Sequence, residues 1–146
     1  MKIQSTVTLD KPTADVWKAL CSPELVAKCV PGFEITGKVD DNHYRVHGKI
    51  QVGFISARFD ELQATKHVLE EGSAVEYEIS GEDSRKLGSF LMKMVVGLKA
   101  EGSTQTFVHV DSDLQITGKF ASLGMRIVEH KYKKMVEETV KNFHSL

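Results

Sequence analysis

Few of the residues able to do chemistry stand where they could act together. His43 and His47 share one side of an alternating segment, but four residues at ~3.3 Å each hold them roughly 13 Å apart, too far to share a metal ion. His67, His109, His130 and His144 show no ligand spacing, and no metal site is expected. Cys21 and Cys29 are accompanied by no His or Asp pattern and read as small core hydrophobes rather than nucleophiles. Glu61 would fall in line with Ile55, Ala57 and Phe59 on an unbroken strand, which would make it a buried acid and a candidate general base. A β-bulge turning it outward is the expected arrangement. Asp83, Arg85 and Lys86 read as a solvated hairpin turn. Neither a Gly-rich phosphate loop nor a nucleophile elbow is present, so no catalytic residue is assigned.

What remains is apolar chemistry. The segment FLMKMVVGL puts Phe90, Met92, Met94, Val96 and Leu98 on one face. Methionine is flexible and polarisable, so a wall of this kind adapts to a ligand without having one fixed shape; the same residues can equally well fill an ordinary core. Tyr44, Phe59, Tyr77, Val108 and Leu114 should face the same interior. A tyrosine hydroxyl buried there needs a partner, either protein, water or the carbonyl of a ligand.

These residues are positioned by a simple series of elements. Residues 2–9 alternate as a strand. Helical spacing of Val16, Trp17 and Leu20 follows, with Pro12 suited to a first turn and Thr13 or Asp10 available as caps. Ser22-Pro23 breaks this helix and begins a second, which Pro31-Gly32 ends. About six strands come next, including Tyr44–Val52 after the turn DDNH and a pair at 87–99 and 104–116 around Glu101-Gly102-Ser103. From Lys119 to about residue 144 the pattern predicts one long helix with the stripe Met125, Val128, Tyr132, Met135, Val136, Val140 and Phe143. The fold class is therefore α+β, a seven-stranded antiparallel sheet with the last helix on its apolar face. One helix about 10–12 Å across cannot fill a strongly curved sheet, so either large side chains complete the interior or a cavity remains.

The start of that last helix is unusual. Phe120, Leu123 and Ile127 point away from the core-facing stripe, as though its first two turns were apolar on two sides. They either bound an opening and meet a membrane, a partner or a second copy of the chain, or pack locally against Val30 and Phe33.

The composition is that of one soluble domain spanning residues 1–146, with 41% apolar and 27% charged residues. A net charge of −1 leaves no basic surplus for nucleic acid. MKIQSTVTLD lacks the apolar core of a signal peptide, and no window approaches the ~20 apolar residues of a membrane span. A reduced, cytoplasmic protein is the expectation.

Taken together, VWKALCSPELVAKCVPGFE, VGFISARF and ITGKFASLGMRIVE resemble the CoxG-like family of carbon monoxide dehydrogenase accessory proteins, within the START-like helix-grip (SRPBCC) superfamily. The positions that carry the resemblance are Trp17, Ser22-Pro23, Val30-Pro31-Gly32, Val52-Gly53, Phe59, Gly118 and Gly124. Each is weak alone, and their order over the whole chain is what makes them specific. The resemblance implies a sheet wrapped around the last helix, two short helices between the first two strands, and a cavity for a hydrophobic small molecule of lipid or quinone type. Trp17, Tyr44, Phe59, Tyr77, Phe90, Met92, Met94, Val108, Leu114, Met125, Val128 and Tyr132 are the expected lining. It further implies a cavity mouth at Pro31, Gly32, Phe33, Phe120, Leu123 and Ile127, and no cofactor. The role implied is accessory: a partner of a molybdenum hydroxylase-type oxidoreductase, peripheral at the inner membrane face, with a homodimer as one arrangement. Many relatives continue into a tail with an apolar anchor, whereas this sequence ends at Leu146. An enzyme of the cyclase or hydrolase type, or a purely structural interaction domain, is the alternative.

Overall fold

In the computed structural model, which describes residues 1–146, the first alternating segment is strand β1 (Lys2–Leu9). Helices α1 (Thr13–Leu20) and α2 (Pro23–Cys29) follow it. Ser22 caps α2, its Oγ accepting the Leu25 N–H at 3.3 Å. Neither Thr13 nor Asp10 caps α1, where Pro12 takes the cap position without a side-chain bond. Thr13 Oγ1 lies instead 2.9 Å from Thr106 Oγ1, and Asp10 accepts from Gln105 Nε2 at 2.7 Å, because the last strand begins beside this corner.

The remaining strands are β2 (Phe33–Asp40), β3 (His43–Val52), β4 (Ile55–Glu70), β5 (Ala74–Glu82), β6 (Ser89–Glu101) and β7 (Gln105–Ile116). All neighbours are antiparallel in a seven-stranded curved sheet of order β1-β7-β6-β5-β4-β3-β2, so the expected fold class and the two short helices after β1 are present. In β4 the register jumps from Phe59 opposite Gly48 to Leu62 opposite Val46. This bulge gives Leu62 the inward position, fully buried, and sends Glu61 outward to Arg45 at 3.5 Å. The bulge thus removes the acid that an unbroken strand would have buried.

The expectation for Asp83 was wrong. Its side chain is buried, accepting backbone N–H bonds from Arg58 at 2.9 Å, Arg85 at 2.8 Å and Leu87 at 3.4 Å. Burial pushes its carboxyl pKa up, but these donors and the Arg85 guanidinium outweigh that and hold it below the usual carboxylate range. The carboxylate ties the β5–β6 loop to β4. Because the folded value is depressed, its contribution is full above about pH 4 and is lost as pH falls through the folded value. Asp83→Asn is expected to cost about 1.5–3 kcal/mol at pH 7, since its NH₂ must face N–H donors, and to flatten the acid limb of a stability-versus-pH curve.

The last helix is also not one helix. Residues Lys119–Ser122 form a single turn, α3, and α4 runs from Met125 to His144. Between them Gly124 takes φ 91° and ψ 150°, a backbone shape that no helix continues through and that favours glycine. The change of direction turns Phe120 and Leu123 into the interior, where they are 6% and 8% exposed. The apparent second apolar side therefore belongs to a separate turn facing the same core.

Candidate functional site: a half-open interior between sheet and helix

The buried apolar residues form two clusters rather than one. The first joins Leu9, Val16, Leu20, Val75, Val96 and Phe143 around α1 and α2. The second joins Val46, Phe59, Leu62, Phe120, Leu123 and Val128 at the α3 end. Helix α4 is buried only at Val128 and Phe143, about 15 residues or roughly 22 Å apart. Between them Tyr132, Met135, Val136 and Val140 are only half-buried.

The facing sheet shows the same gap. Met94 pairs with Tyr77 and Ser112, and Met92 with Ile79 and Leu114, which places both methionines on the helix-facing side. Met92, Met94, Ile79, Phe90 and Val110 nevertheless remain partly exposed there. Met94 and Val110 pack on the first cluster and Met92, Ile79 and Phe90 on the second, so the middle of the sheet–helix interface is the least buried part of the interior and the candidate site for a small molecule.

One polar contact crosses this space, between Ser112 Oγ and the Tyr132 hydroxyl. Burial pushes the Tyr132 pKa up, with the Ser112 hydrogen bond working the other way, so the phenol stays neutral across the physiological range. The other two tyrosines do not reach into the gap as hydroxyls. Tyr77 donates to Leu20 O at 2.5 Å, and Tyr44 to Glu24 Oε1 and Asp41 O, both at 3.4 Å. Burial is also the main cause of the raised pKa of the Tyr77 phenol.

The residues expected to line the cavity thus separate. Phe90, Met92, Met94 and Tyr132 border the gap. Phe59 is core, its ring 5.0 Å from Phe90 edge-on and 5.9 Å from Phe120. Tyr44, Tyr77, Val108, Leu114 and Val128 are buried. Trp17 packs on the first cluster, with Nε1 3.4 Å from Glu71 Oε1. Met125 is the clear departure, 55% exposed at the start of α4, because the turn at Gly124 takes it off the inward stripe.

The expected mouth divides as well. Phe33 packs its ring over Gly48, where a Cβ would lie 2.5 Å from it, and belongs with Phe120 and Leu123 to the second cluster. Gly32 at φ 82° brings its Cα against Lys49 O beside the half-buried Pro31. Of its large side chains only Ile127, at 43%, is exposed as a rim residue should be. Leu123→Ser is therefore expected to cost about 2–5 kcal/mol, whereas Ile127→Ser should stay within about 0.5 kcal/mol, read from paired thermal melts.

Catalytic groups do not converge on the gap. Burial raises the pKa of both the Cys21 and the Cys29 thiols, which argues against either as a nucleophile. The histidine contacts to carboxylates lie away from the gap: His43 to Asp40 at 2.7 Å, His47 to Asp60 at 3.9 Å, His109 to Asp111 at 3.1 Å and His144 to Asp10 at 3.8 Å. Sequence reasoning missed Ser112 as a site residue. Its position on an inward register beside Met94 was the signal that could have found it.

Known proteins place this architecture. The family model for the carbon monoxide dehydrogenase component CoxG matches residues 6–146. A conserved protein from Geobacillus kaustophilus has the same fold at TM-score 0.89 and 16% identity, over 99% of this chain and 93% of that one. A START superfamily protein from Mycobacterium smegmatis matches at TM-score 0.70 and 12% identity, over 99% and 94%. The Zhui aromatase/cyclase from Streptomyces sp. R1128 matches at 0.67 and 12%, over 99% and 92%. Among curated protein sequences no match is found. At these identities the structural likenesses speak for a START-like helix-grip fold alone.

Proposed function

Because the chain belongs to the CoxG family of carbon monoxide dehydrogenase components, we propose that it is a non-enzymatic carrier of a lipophilic small molecule, accessory to an oxidoreductase of that type. The observation that carries this reading is the interior divided into two buried clusters, with the incompletely buried Met92 and Met94 where they meet. Methionine walls accept a flat ring or a flexible chain by changing rotamer. The Ser112–Tyr132 pair supplies a neutral donor and acceptor in an otherwise apolar space, as a quinone carbonyl or a fatty-acid head would require. A cyclase-type activity has less support, since Glu61 points outward and no acid–base pair faces the gap.

Denaturing extraction of the purified protein, followed by mass spectrometry of the extract, tests this reading. A stoichiometric lipophile that is absent from a Met92→Trp, Met94→Trp double variant supports it. A wild-type extract without lipophile, together with failure to take up added decylubiquinone or oleate, would overturn it.

A further inference from the structure

The tip of the β3–β4 hairpin and the first half of α4 enclose a second feature, outside the interior. An open groove of about 540 Å³ is bounded by Gly53, Arg126, Ile127, His130, Lys131 and Lys134, a volume within the range of small-molecule sites. Gly53 takes φ 59° at the turn, and a Cβ there would lie 3.4 Å from Ile127 Cγ2, so hairpin backbone and helix stand against each other at this end of the groove. Arg126, His130 and Lys134 follow one another at intervals of four residues, a single row about 12 Å from end to end. Phe54, the residue after Gly53, is 84% exposed.

The residues along this groove are poor choices for the helix alone. The first turn of α4 holds no acid, and its N-cap makes no side-chain bond. Arg126 therefore stands at the positive end of the helix dipole, where a cation is disfavoured. Lys131 and Lys134, three residues apart, repel each other on one helix face. Glu129 is the only acid between Met125 and Lys134 and is taken by Lys133 at 2.9 Å, which leaves Arg126, Lys131 and Lys134 without a carboxylate partner. The whole chain carries a net charge of −1, so the positive charge is concentrated here rather than spread over the surface. A bound anion would offset each of these unfavourable terms at once.

We propose that this groove binds a soluble nucleotide, with Arg126, Lys131 and Lys134 holding its phosphates and Phe54 and Ile127 meeting its base. Guanidinium and ammonium groups make charge-assisted hydrogen bonds to phosphate oxygens, and the helix N-terminus favours the same charge. An exposed aromatic ring offers a face on which any base stacks. Inorganic phosphate would satisfy the cations but leave Phe54 and most of the groove unused. Binding here is independent of the carrier reading, because none of Phe90, Met92, Met94 and Tyr132, which border the gap, lines this groove.

Isothermal titration of the full chain with ADP, pyrophosphate and adenosine tests it. ADP is expected to bind saturably at one site and more weakly as salt is raised, pyrophosphate less tightly, and adenosine not at all. Arg126→Ala and Lys134→Ala should each lower the ADP affinity about tenfold or more. The melting temperature of Arg126→Ala should not fall, since the substitution removes a cation from the helix N-terminus and introduces the best helix former. Phe54→Ser should weaken ADP about fivefold or more and leave pyrophosphate unchanged. Lys99→Ala, on β6, serves as the control and should alter neither. The Met92→Trp, Met94→Trp double variant should bind ADP as the wild type does, which separates a failure here from a failure of the carrier reading. Absence of saturable ADP binding, adenosine binding as tightly as ADP, or ADP binding indifferent to Arg126, Lys134 and Phe54 would each overturn the proposal.

Discussion

Met94→Trp is expected to lower the affinity for a medium-chain quinone or fatty acid more than tenfold, a loss of about 1.4 kcal/mol or more, while the protein still folds. The two halves of this expectation come from the same geometry. Met94 lies inward, opposite Tyr77 and Ser112, and packs on the first cluster, yet keeps accessible surface beside the half-buried middle of α4. On the carrier reading, an indole placed there occupies the volume a ligand would take. In a filled interior the same substitution would overpack the core and cost about 1–3 kcal/mol. Isothermal titration beside a thermal melt separates the cases. Lost binding with an unchanged melt marks an open gap, and lost stability marks a packed one.

The second large effect lies in the cluster that anchors one end of α4. Phe59→Ala is expected to cost about 3–5 kcal/mol. In a domain of this size that lowers the melting temperature by about 10 °C. Phe59 is 2% exposed, and its ring meets both Phe90 at the edge of the gap and Phe120 on the turn before α4. It therefore joins strand, turn and helix where the bulge at Glu61 bends β4 inward. Phe59→Leu keeps much of the volume and should lose less than half as much. Denaturant melts of the two variants check the order, and equal small losses would show that the cluster is not what holds α3 in place.

Most of the fold was legible because it rests on periodicity. Alternation marks β1, β3 and β7 directly, and Ser22-Pro23 and Pro31-Gly32 bracket α2. The bulge could be anticipated because a buried Glu61 would have been costly, and the chain avoids it by giving Leu62 the inward place. The helix break could not be read in the same way. Phe120, Leu123 and Ile127 fall off the stripe that the rest of the segment keeps, but a single glycine in a helix costs only about 1 kcal/mol, so the pattern alone did not separate a break from a two-sided helix. What decides the break is tertiary. Gly118, at φ 70°, brings its backbone against Leu87 and Gly88, and Lys119 N–H bonds Leu87 O at 2.7 Å. That docking fixes α3 against the β5–β6 loop before α4 starts. The burial of Asp83 was hidden for a related reason, since its three donors come from Arg58, Arg85 and Leu87, on two separate stretches of chain.

For the site, register tells which face a residue takes but not whether the opposite wall reaches it. Phe59 and Met94 both read as inward, and both are, yet one is packed on all sides and the other borders the gap. The difference follows α4, whose fully buried side chains are Val128 and Phe143, with only half-buried ones between them.

The five methionines offer the most direct measurement, because they sample the gap and the outer surface separately. With methyl-¹³C methionine and assignment by single Met→Leu variants, decylubiquinone is titrated against the protein in solution. The account predicts saturable shifts at Met92 and Met94, with Met125 unmoved. Shifts confined to Met125, or none at any methionine, would contradict it.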